Sequence, residues 1–355
     1  MSFLSPVFTQ ENMLTKRSIL VTGGTGSFGK SFIKRILTEW PSIERIVVFS
    51  RDEFKQFEMS NVPEFAGNSK LRFFLGDVRD KERLMRAFDG IDMVVHAAAL
   101  KQVPACEYNP FEAIKTNVLG AQNIIESAID RGVSRVVALS TDKACSPINL
   151  YGATKLCSDK LFIAGSVYSG MGRTKFSVVR YGNVAGSRGS VIPFFQKLLR
   201  EGVKELPITD CRMTRFWLKL DSAVDLVLHT AEHMQGGELF VKKIPSMKMT
   251  DLAKAMAPNL PIREIGIRPG EKIHEMMISV EDARNTIEMD DYYVIYPDDY
   301  PVAKKLPGKP VQNDFEYHSG NNSQWLTVEQ MRRLIMEIDS ENQTEKPFLK
   351  IADAA

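Results

Sequence analysis

The run Thr22-Gly23-Gly24-Thr25-Gly26-Ser27-Phe28-Gly29 restricts the fold of this chain more than any other feature, because it lies between a short apolar stretch and an amphipathic segment. Glycines at every third position allow a tight turn, a close approach of the backbone to an anion, and close packing of a helix on a strand. A plain turn is the alternative interpretation of such a run. Its position between a predicted strand and a predicted helix favours a phosphate-binding loop at a helix N-terminus. The candidate cofactor-binding residues of this loop are Gly23, Thr25, Gly26, Ser27, Phe28 and Gly29.

Short, β-branched apolar runs alternate with longer amphipathic segments through the first half of the chain, a pattern typical of βαβ units. The runs are apolar at successive positions, which indicates a sheet covered on both faces. We therefore predict an α/β fold with a doubly wound parallel sheet. The predicted strands are Ser18 to Val21, Arg45 to Phe49, Leu71 to Leu75, Met93 to His96, Arg135 to Leu139 and Phe176 to Tyr181. The predicted helices begin after Ser27 and at Asp52, Lys81, Pro110 and Tyr151.

The regular alternation of strands and helices ends after the sixth predicted strand, and the helices predicted beyond it are fewer and are separated by segments rich in Pro and Gly. The later predicted helices are Ile192 to Glu201, Asp221 to Met234 and Thr327 to Ile338. The predicted organisation is a nucleotide-binding domain over residues 15–181 with room for later segments to rejoin it, a mainly substrate-binding portion over 182–340, and a frayed tail over 341–355.

Charge and cysteine content exclude several classes of protein. The 46 Lys and Arg against 44 Asp and Glu leave a formal net charge of +2, which gives no support to binding of nucleic acid or of an anionic membrane. The four widely spaced cysteines suit neither a disulfide framework nor a paired-cysteine zinc site, and indicate reduced thiols. The sequence has no apolar run long enough for a transmembrane helix. The charged residues among the first seventeen do not follow the order typical of a secretory signal peptide. We expect a cytoplasmic protein without nucleic-acid or membrane partners.

The second predicted strand ends in Ser50-Arg51-Asp52, where dinucleotide-binding proteins hold the adenosine ribose. Arg51 favours NADP, because a guanidinium group can bind a 2′-phosphate in bidentate geometry and Ser50 adds no carboxylate to repel it. The alternative is NAD, with Asp52 on the ribose and Arg51 in a solvated loop.

The ends of the third and fourth strands supply further candidates for the cofactor site. Asp77, followed by Val78, is placed to accept a hydrogen bond from an adenine amine, with a helix cap as the alternative role for Asp77. The small residues Ala97 and Ala99 would let a cofactor lie flat on the strand ends. Lys101 would then face the reacting region.

Tyr151 and Lys155 lie one helical turn apart, so both project from one face of a helix. A tyrosine beside a cation ionises more easily and can remove a proton from a substrate hydroxyl while hydride leaves the same carbon. A Tyr and a Lys at this spacing also occur by chance. Here the pair follows a strand that ends in Ser140-Thr141, which could hold the same substrate oxygen, and this position favours a catalytic pair.

These motifs together resemble the extended short-chain dehydrogenases/reductases, which implies a Rossmann fold with the substrate in the C-terminal portion. Asp142-Lys143 and the run from Asn149 to Lys160, with Tyr151 intact, resemble the soluble UDP-N-acetylglucosamine 4,6-dehydratases that invert C5 and serve pseudaminic acid synthesis, over about residues 17 to 335. Retaining, membrane-anchored relatives carry methionine at the tyrosine position, and glucose-type dehydratases carry Asp-Glu where this chain has Asp-Lys. The resemblance implies NADP as cofactor, UDP-N-acetylglucosamine as substrate and a homo-oligomer, with a hexamer as the form expected from soluble relatives.

The same resemblance implies that Thr141, Asp142, Lys143, Tyr151 and Lys155 are the catalytic residues. Tyr151 would deprotonate the C4 hydroxyl, Lys143 would remove the C5 proton, and Asp142 would protonate the departing C6 hydroxyl. The product would be UDP-2-acetamido-2,6-dideoxy-β-L-arabino-hexos-4-ulose. Lys143 then needs a lowered pKa, which we expect from burial and from Lys155. The residue that returns a proton to C5 is left open.

Three later motifs resemble the family's sugar-nucleotide site, although each arginine alone could be a surface residue. The motifs are Arg180 to Gly186, Met213 to Trp217 and Arg268 to Glu271. Arginines suit this task because their fork matches phosphate oxygens. The resemblance assigns substrate binding to Lys101, Asn183, Val184, Arg215, Arg268 and Glu271.

Two rival functions remain at this level. A UDP-sugar 4-epimerase would need Tyr151 and Lys155 but neither Asp142 nor Lys143, and a non-catalytic NADP-binding regulator would need none of the four. No metal site is predicted, because the acidic residue between His229 and His233 is misplaced for a zinc protease.

Overall fold

The computed structural model of the protein describes residues 14–170, 173–187, 189–297 and 308–344. The strands are β1 Ser18–Thr22, β2 Arg45–Ser50, β3 Leu71–Leu75, β4 Met93–His96, β5 Arg135–Leu139, β6 Lys175–Arg180, β7 Asn183–Val184, β8 Leu206–Ile208, β9 Thr214–Leu218, β10 Leu239–Lys242, β11 Ser246–Lys248, β12 Ile262–Glu264, β13 Met276–Ile278, β14 Thr286–Glu288, β15 Tyr292–Ile295, β16 Lys309–Pro310 and β17 Tyr317–His318.

The α-helices are α1 Ser27–Glu39, α2 Glu53–Asn61, α3 Lys81–Ala87, α4 Val103–Tyr108, α5 Pro110–Ile114, α6 Gly120–Arg131, α7 Leu150–Tyr168, α8 Val191–Arg200, α9 Leu220–His233, α10 Met249–Met256, α11 Val280–Ala283 and α12 Val328–Thr344. A π-helical segment, Lys115–Leu119, joins α5 to α6, and a 3₁₀ turn, Asp142–Ala144, precedes α7.

Within the described ranges, ten strands form one sheet in the order β16-β14-β15-β10-β6-β5-β4-β1-β2-β3. Neighbours from β3 to β10 are parallel, and β15, β14 and β16 continue the sheet in antiparallel pairing. The strand order reverses between β1 and β4, which is the point where doubly wound sheets leave a crevice at their carboxyl ends. The predicted doubly wound α/β fold is confirmed.

Every predicted strand is present, with ends that differ from the prediction by no more than one residue. The strand β1 is buried at all five positions, since helices cover both faces of the sheet. Helix α7 begins at Leu150, one residue before the predicted start, because the Asn149 side chain accepts a hydrogen bond from the backbone N–H of Gly152 at 2.8 Å.

The second half of the chain contributes both to a smaller unit and to the central sheet. The smaller unit contains the sheet β11-β9-β7 and a second apolar core, to which Phe195, Leu206, Trp217 and Leu252 contribute. The strands β10, β15, β14 and β16 instead return to the central sheet. Helix α12 continues to Thr344, beyond the predicted end at Ile338, so the first residues of the predicted frayed tail are helical. The rest of that tail, residues 345–355, lies outside the described residues.

Tyr317 ties the smaller unit to the central sheet. Its buried hydroxyl group donates to the carbonyl of Ile244 at 3.0 Å and accepts from the Ile244 N–H at 2.9 Å, just beyond β10. Its ring packs on Phe216 and Tyr293 with centroid distances of 4.9 and 5.3 Å. The hydroxyl group therefore satisfies a buried backbone N–H in a segment that has left the sheet.

We expect Tyr317→Phe to keep the ring packing but to lower the free energy of unfolding by about 1–3 kcal/mol, because the Ile244 N–H loses its partner. Urea denaturation followed by circular dichroism measures this difference. Tyr168→Phe, at a ring that is 81% exposed, is the matched control and should change little. Equal stability of the two variants would show that the Tyr317 hydroxyl group does not stabilise the fold.

Candidate active site

The glycine-rich loop after β1 meets the loop after β4 at the point where the strand order reverses. Gly23 has φ +66°, and a Cβ there would lie 3.0 Å from the backbone N of Ala98, so both the conformation and the space require glycine. A Cβ on Gly26 would contact only the Gly23 carbonyl, at 3.2 Å, so the start of α1 is open to a ligand. Ala97 and Ala98 are half-buried and Ala99 is exposed at the same edge. This arrangement fits a dinucleotide, with its pyrophosphate at the α1 N-terminus.

The end of β2 gives Arg51 and Asp52 different surroundings. Asp52 caps α2, since its carboxylate accepts from the Lys55 N–H at 3.0 Å, and it also pairs with the Lys55 ammonium group at 2.8 Å. The Ser50 hydroxyl oxygen accepts from the Gln56 amide at 3.0 Å. The Arg51 side chain is about half exposed, with Nη1 3.5 Å from the Asp77 carboxylate. Arg51 is thus the more available of the two charged residues.

Asp77 is held by arginines rather than by a helix. Its Oδ1 accepts from the Arg79 N–H at 3.0 Å and its Oδ2 from the Arg79 guanidinium group at 2.7 Å, whereas the N-cap of α3 is Asp80. The alternative role of Asp77 as a helix cap is therefore wrong. Burial alone would raise the pKa of Asp77, but the hydrogen bonds from Arg79 and the charge of Arg51 lower it. Val78 is buried beside Gly120, at the start of α6.

The first turn of α7 packs directly on the 3₁₀ turn that carries Asp142 and Lys143. A Cβ on Gly152 would lie 2.1 Å from the Lys143 carbonyl oxygen, so only glycine allows this approach. The approach brings Tyr151 next to the end of β5, where Thr141 lowers the pKa of the Tyr151 hydroxyl group. The Thr141 hydroxyl group in turn donates to Asp142 Oδ1 at 2.9 Å. The structure therefore brings together four of the five predicted catalytic residues.

The fifth, Lys155, is fully enclosed one turn further along α7, with 3% of its surface exposed. Burial lowers the pKa of Lys155, against the raising effect of Asp159. Burial also raises the pKa of Tyr151 to about 12, against the lowering effects of Lys143 and of the Thr141 hydrogen bond. Lys143 is therefore the cation that favours ionisation of Tyr151, a role that the sequence assigned to Lys155.

Alternating charges surround Lys143. Its Nζ lies 3.1 Å from Asp142 Oδ1 and 3.2 Å from Glu275 Oε1, and the same Glu275 oxygen lies 3.7 Å from Arg215 Nε. Burial would lower the pKa of Lys143, but the two carboxylates outweigh it and raise this pKa. The expectation of a lowered pKa for Lys143 is wrong, because the sequence did not show that a second carboxylate would contact this ammonium group.

The predicted substrate-binding residues lie on several elements, of which β9 brings Arg215 to this cluster. Asn183 and Val184 form β7, which pairs in parallel with β9, the strand that carries Arg215. Arg268 is more than half exposed, with Nη1 4.0 Å from Glu271. This late loop reaches the site through Gly270, whose carbonyl accepts from the Asn149 amide at 2.8 Å.

Lys101 extends from the loop after β4, and its pKa is lowered by partial burial and by the charge of Lys143. It therefore belongs electrostatically to the same cluster.

Sequence reasoning missed two residues that support the site. Asn117, in the π-helical segment, accepts from the Leu100 N–H at 2.8 Å and donates to the Leu100 carbonyl at 2.9 Å and to Thr154 Oγ1 at 3.0 Å. It thus fixes the loop after β4 to α7. Glu275 is the other, and no short motif surrounds it, because its ion-pair partners Lys143 and Arg215 lie more than fifty residues away in sequence.

The two histidines on α9 stack with a ring-centroid distance of 4.2 Å. Throughout the part of the chain that the structure describes, no group of three or more His, Cys, Asp or Glu side chains is placed to hold a metal ion.

A model of the polysaccharide biosynthesis protein family matches residues 19–297. The chain belongs to this family. Among its curated relatives, the UDP-N-acetylglucosamine 4,6-dehydratase (inverting) of Campylobacter jejuni subsp. jejuni is 53% identical over 332 residues, covering 91% of this chain and 98% of the relative. A protein named UDP-glucose 4-epimerase from Rickettsia akari is 43% identical over 336 residues, covering 92% and 97% of the two chains. The resemblance inferred from the motifs is confirmed.

The fold is also similar to that of solved structures. Pen from Bacillus thuringiensis is 37% identical with a TM-score of 0.83, over 92% of this chain and 98% of that one. DesIV of Streptomyces venezuelae, a dTDP-glucose 4,6-dehydratase crystallised with NAD bound, is 25% identical with a TM-score of 0.62, over 72% and 86% of the two chains. Among the helices described for this family member, none has the length and apolar character needed to cross a membrane.

We expect Gly152→Ala to lower the free energy of unfolding of this family member by about 1–3 kcal/mol, because the added methyl group overlaps the Lys143 carbonyl. Ala153→Ser, at the exposed neighbouring position on α7, is the matched control. Urea denaturation of both variants measures the difference. A Gly152→Ala protein as stable as the control would mean that the contact between α7 and the 3₁₀ turn is loose.

Proposed function

We propose that this protein is an NADP-dependent UDP-N-acetylglucosamine 4,6-dehydratase that inverts C5. The observation that carries the proposal is the joint placement of Tyr151, Asp142 and Lys143 where α7 packs on the 3₁₀ turn. An oxidation at C4 needs only a base such as Tyr151, whereas removal of water across C5 and C6 needs a further acid and a further base. The inverting dehydratase of Campylobacter jejuni, alike over nearly its whole length, supports the same activity.

The cofactor proposal rests on the glycine-rich loop and Arg51. The open N-terminus of α1 would hold the pyrophosphate, and Arg51 would bind a 2′-phosphate, since Asp52 is engaged as the cap of α2. Asp77 stays ionised because of its arginine contacts and can accept a hydrogen bond from an adenine amine. A bound nicotinamide dinucleotide supplies a hydride acceptor that returns the hydride within one turnover.

The residues of this chain would divide the proton transfers among them. Tyr151, whose pKa is lowered by Lys143 and Thr141 against the effect of burial, would take the proton of the C4 hydroxyl, and the resulting 4-keto group makes the C5 proton acidic. Lys143 would remove the C5 proton, and Asp142 would give a proton to the departing C6 hydroxyl. Burial and the charge of Glu275 raise the pKa of Asp142, which suits a proton donor, against the lowering effect of Lys143.

The diphosphate proposal rests on Arg215, Arg268 and Asn183, with Glu271 on the ribose and Lys101 and Val184 near the sugar. Arg215 is mostly buried beside the catalytic cluster, whereas Arg268 is exposed on the loop that Asn149 anchors. The two arginines could therefore approach a diphosphate from different elements. A homo-oligomer, with a hexamer among its forms, and a role in pseudaminic acid synthesis stay predictions from the resemblance.

Incubation with UDP-N-acetylglucosamine tests the proposal. The expected product is lighter by one water, as mass spectrometry shows, and has the L-arabino configuration at C5 by NMR. Tyr151→Phe is the matched variant, with an expected loss of about a hundredfold or more in rate. A product of unchanged mass with C4 inverted would favour the second candidate, a 4-epimerase, which the Rickettsia akari relative brings into consideration.

We expect Arg51→Asp to weaken NADP binding by about tenfold or more, because it removes a charge-assisted contact and adds a charge that repels the 2′-phosphate. Isothermal titration with NADP and with NAD measures the change, and NAD binding should change less. Arg86→Asp, the same change at an exposed position on α3, is the control. Unchanged NADP affinity in Arg51→Asp would leave Arg51 a loop residue without a role in binding.

Asp142 and Lys143 should separate the elimination from the oxidation. In deuterated water, we expect Lys143→Ala to lose deuterium incorporation at C5, and Asp142→Asn to keep some incorporation while losing the release of water. Each loss should be about a hundredfold or more, the usual contribution of a general acid or base. NMR of C5 and mass spectrometry of the product measure both steps.

Lys160→Ala, an exposed lysine on α7, is the control for these variants. Normal turnover of Asp142→Asn and Lys143→Ala would contradict their assignment to the elimination.

A further inference from the structure

We propose that Glu275 is a positioning residue of this site, whose carboxylate orients the Lys143 ammonium group beside Asp142 and stabilises it in its protonated form. The consequence for the reaction rests on the proposed dehydratase function. The effect of Glu275 on Lys143 itself does not depend on that function and is tested separately.

Glu275 is fixed in place by its backbone. It lies immediately before β13, its N–H donates to the Ser319 hydroxyl at 2.9 Å, and its carbonyl accepts from the Ser319 N–H at 2.7 Å. Its side chain is 4% exposed, and Oε1 contacts Lys143 Nζ at 3.2 Å. A buried carboxylate held this firmly sets where the lysine can point.

Two carboxylates share the one ammonium group of Lys143. Asp142 Oδ1 lies 3.1 Å from Nζ, nearly the same distance as Glu275 Oε1. The second oxygen of each carboxylate, Asp142 Oδ2 and Glu275 Oε2, is buried without a hydrogen-bond partner among the described residues. Like charges held together in a buried place favour protonation of one of the two carboxylates. Asp142 is that carboxylate, since Arg215 stabilises Glu275 as an anion.

One proton transfer within this cluster prepares both groups that the elimination needs, and Glu275 opposes this transfer because it stabilises the ammonium form of Lys143. When an N–H bond of Lys143 breaks and an O–H bond forms on Asp142, an amine and a carboxylic acid arise together, with no change of net charge. The amine then takes the C5 proton, and the acid protonates the C6 hydroxyl as it leaves as water. Lys143 is again an ammonium group and Asp142 again a carboxylate, so the pair is reset without exchange with solvent.

Other charged groups also face the cluster. Arg215 on β9 lowers the pKa of Lys143, and the Lys272 ammonium group, which donates to the Cys145 carbonyl at 2.6 Å, feels both Asp142 and Glu275. Lys101 and Tyr151 face Lys143 from the loop after β4 and from α7. These groups remain in every variant below, so a change reports the loss of the Glu275 charge.

Competitive labelling of the ligand-free protein with acetic anhydride, read by mass spectrometry, measures how much of Lys143 is unprotonated at a given pH. The exposed Lys248 is the internal reference. At pH 9 we expect Glu275→Gln to raise the relative labelling rate of Lys143 about tenfold or more, because loss of a contacting anion lowers a lysine pKa by about one unit or more. A rate equal to the wild-type value would overturn the proposal.

Two further variants control this measurement. Glu275→Asp keeps the negative charge but moves it back by one methylene group, so we expect an intermediate labelling rate of Lys143. This variant keeps the test available if Glu275→Gln fails to fold. A wild-type labelling rate in Glu275→Asp would also contradict the proposal. Glu238→Gln removes an equally buried carboxylate that contacts Ser177 at the opposite end of the strands. It should leave Lys143 unchanged, and an equal rise in Glu238→Gln would show a general effect of losing a buried acid.

The pH dependence of water loss from UDP-N-acetylglucosamine tests the consequence for the reaction. The loss of the Glu275 charge lowers the proton affinity of both Lys143 and Asp142, so both limbs of the profile should move to lower pH, by about one unit or more. If the labelling rate of Lys143 changes but the limbs of the pH profile do not move, the proposed role of Glu275 in the elimination is overturned. If the wild-type protein removes no water, the proposed function fails, while labelling still decides whether Glu275 controls Lys143.

Discussion

The close contact between Gly152 and the Lys143 carbonyl determines the geometry of the whole site. It joins the first turn of α7 to the 3₁₀ turn after β5, so that a helix residue and two turn residues share one substrate position. Asn149 caps α7 and holds the Gly270 carbonyl, which brings a loop more than a hundred residues later to the same place. Asn117 fixes the loop after β4 to α7 through Leu100 and Thr154. The rigidity of the reacting groups therefore comes from backbone contacts rather than from the reacting side chains themselves.

The first half of the fold could be predicted because its signals are local. Apolar runs of five or six residues and the glycine spacing after β1 determine which segments become strands and where the chain turns. The later half could not be predicted in this way, because β10 and β14 to β16 are short strands whose pairing depends on an edge already built by β6. The extent of α12 was missed for a different reason, since Thr327 signals where that helix begins but no residue clearly signals its end.

The candidate site shows the same division between local and distant information. Tyr151, Asp142 and Lys143 are near neighbours in sequence, so their association follows from one turn and one helix. The protonation of Lys143 depends on Glu275, and that contact exists only after β9, β13 and the 3₁₀ turn meet. The pKa of a group in a buried cluster depends on every charge within a few ångströms. Motif spacing gives no information about a charge that is close in space but far away in sequence. For this reason the residues could be named from the sequence, while the sign of the Lys143 pKa shift could not.

The return of β10 to the central sheet has a consequence for synthesis of the chain on the ribosome. When only the first 181 residues have emerged, β6 forms an open parallel edge with unpaired backbone groups and apolar side chains. Its partner β10 begins at Leu239, so the edge stays open until about sixty further residues have been translated. During that interval the nascent chain carries a template for pairing with another strand. The helix α9, which precedes β10 in the chain, packs on α1, β5 and β6, so one face of the sheet beside this edge can be covered before β10 pairs with β6.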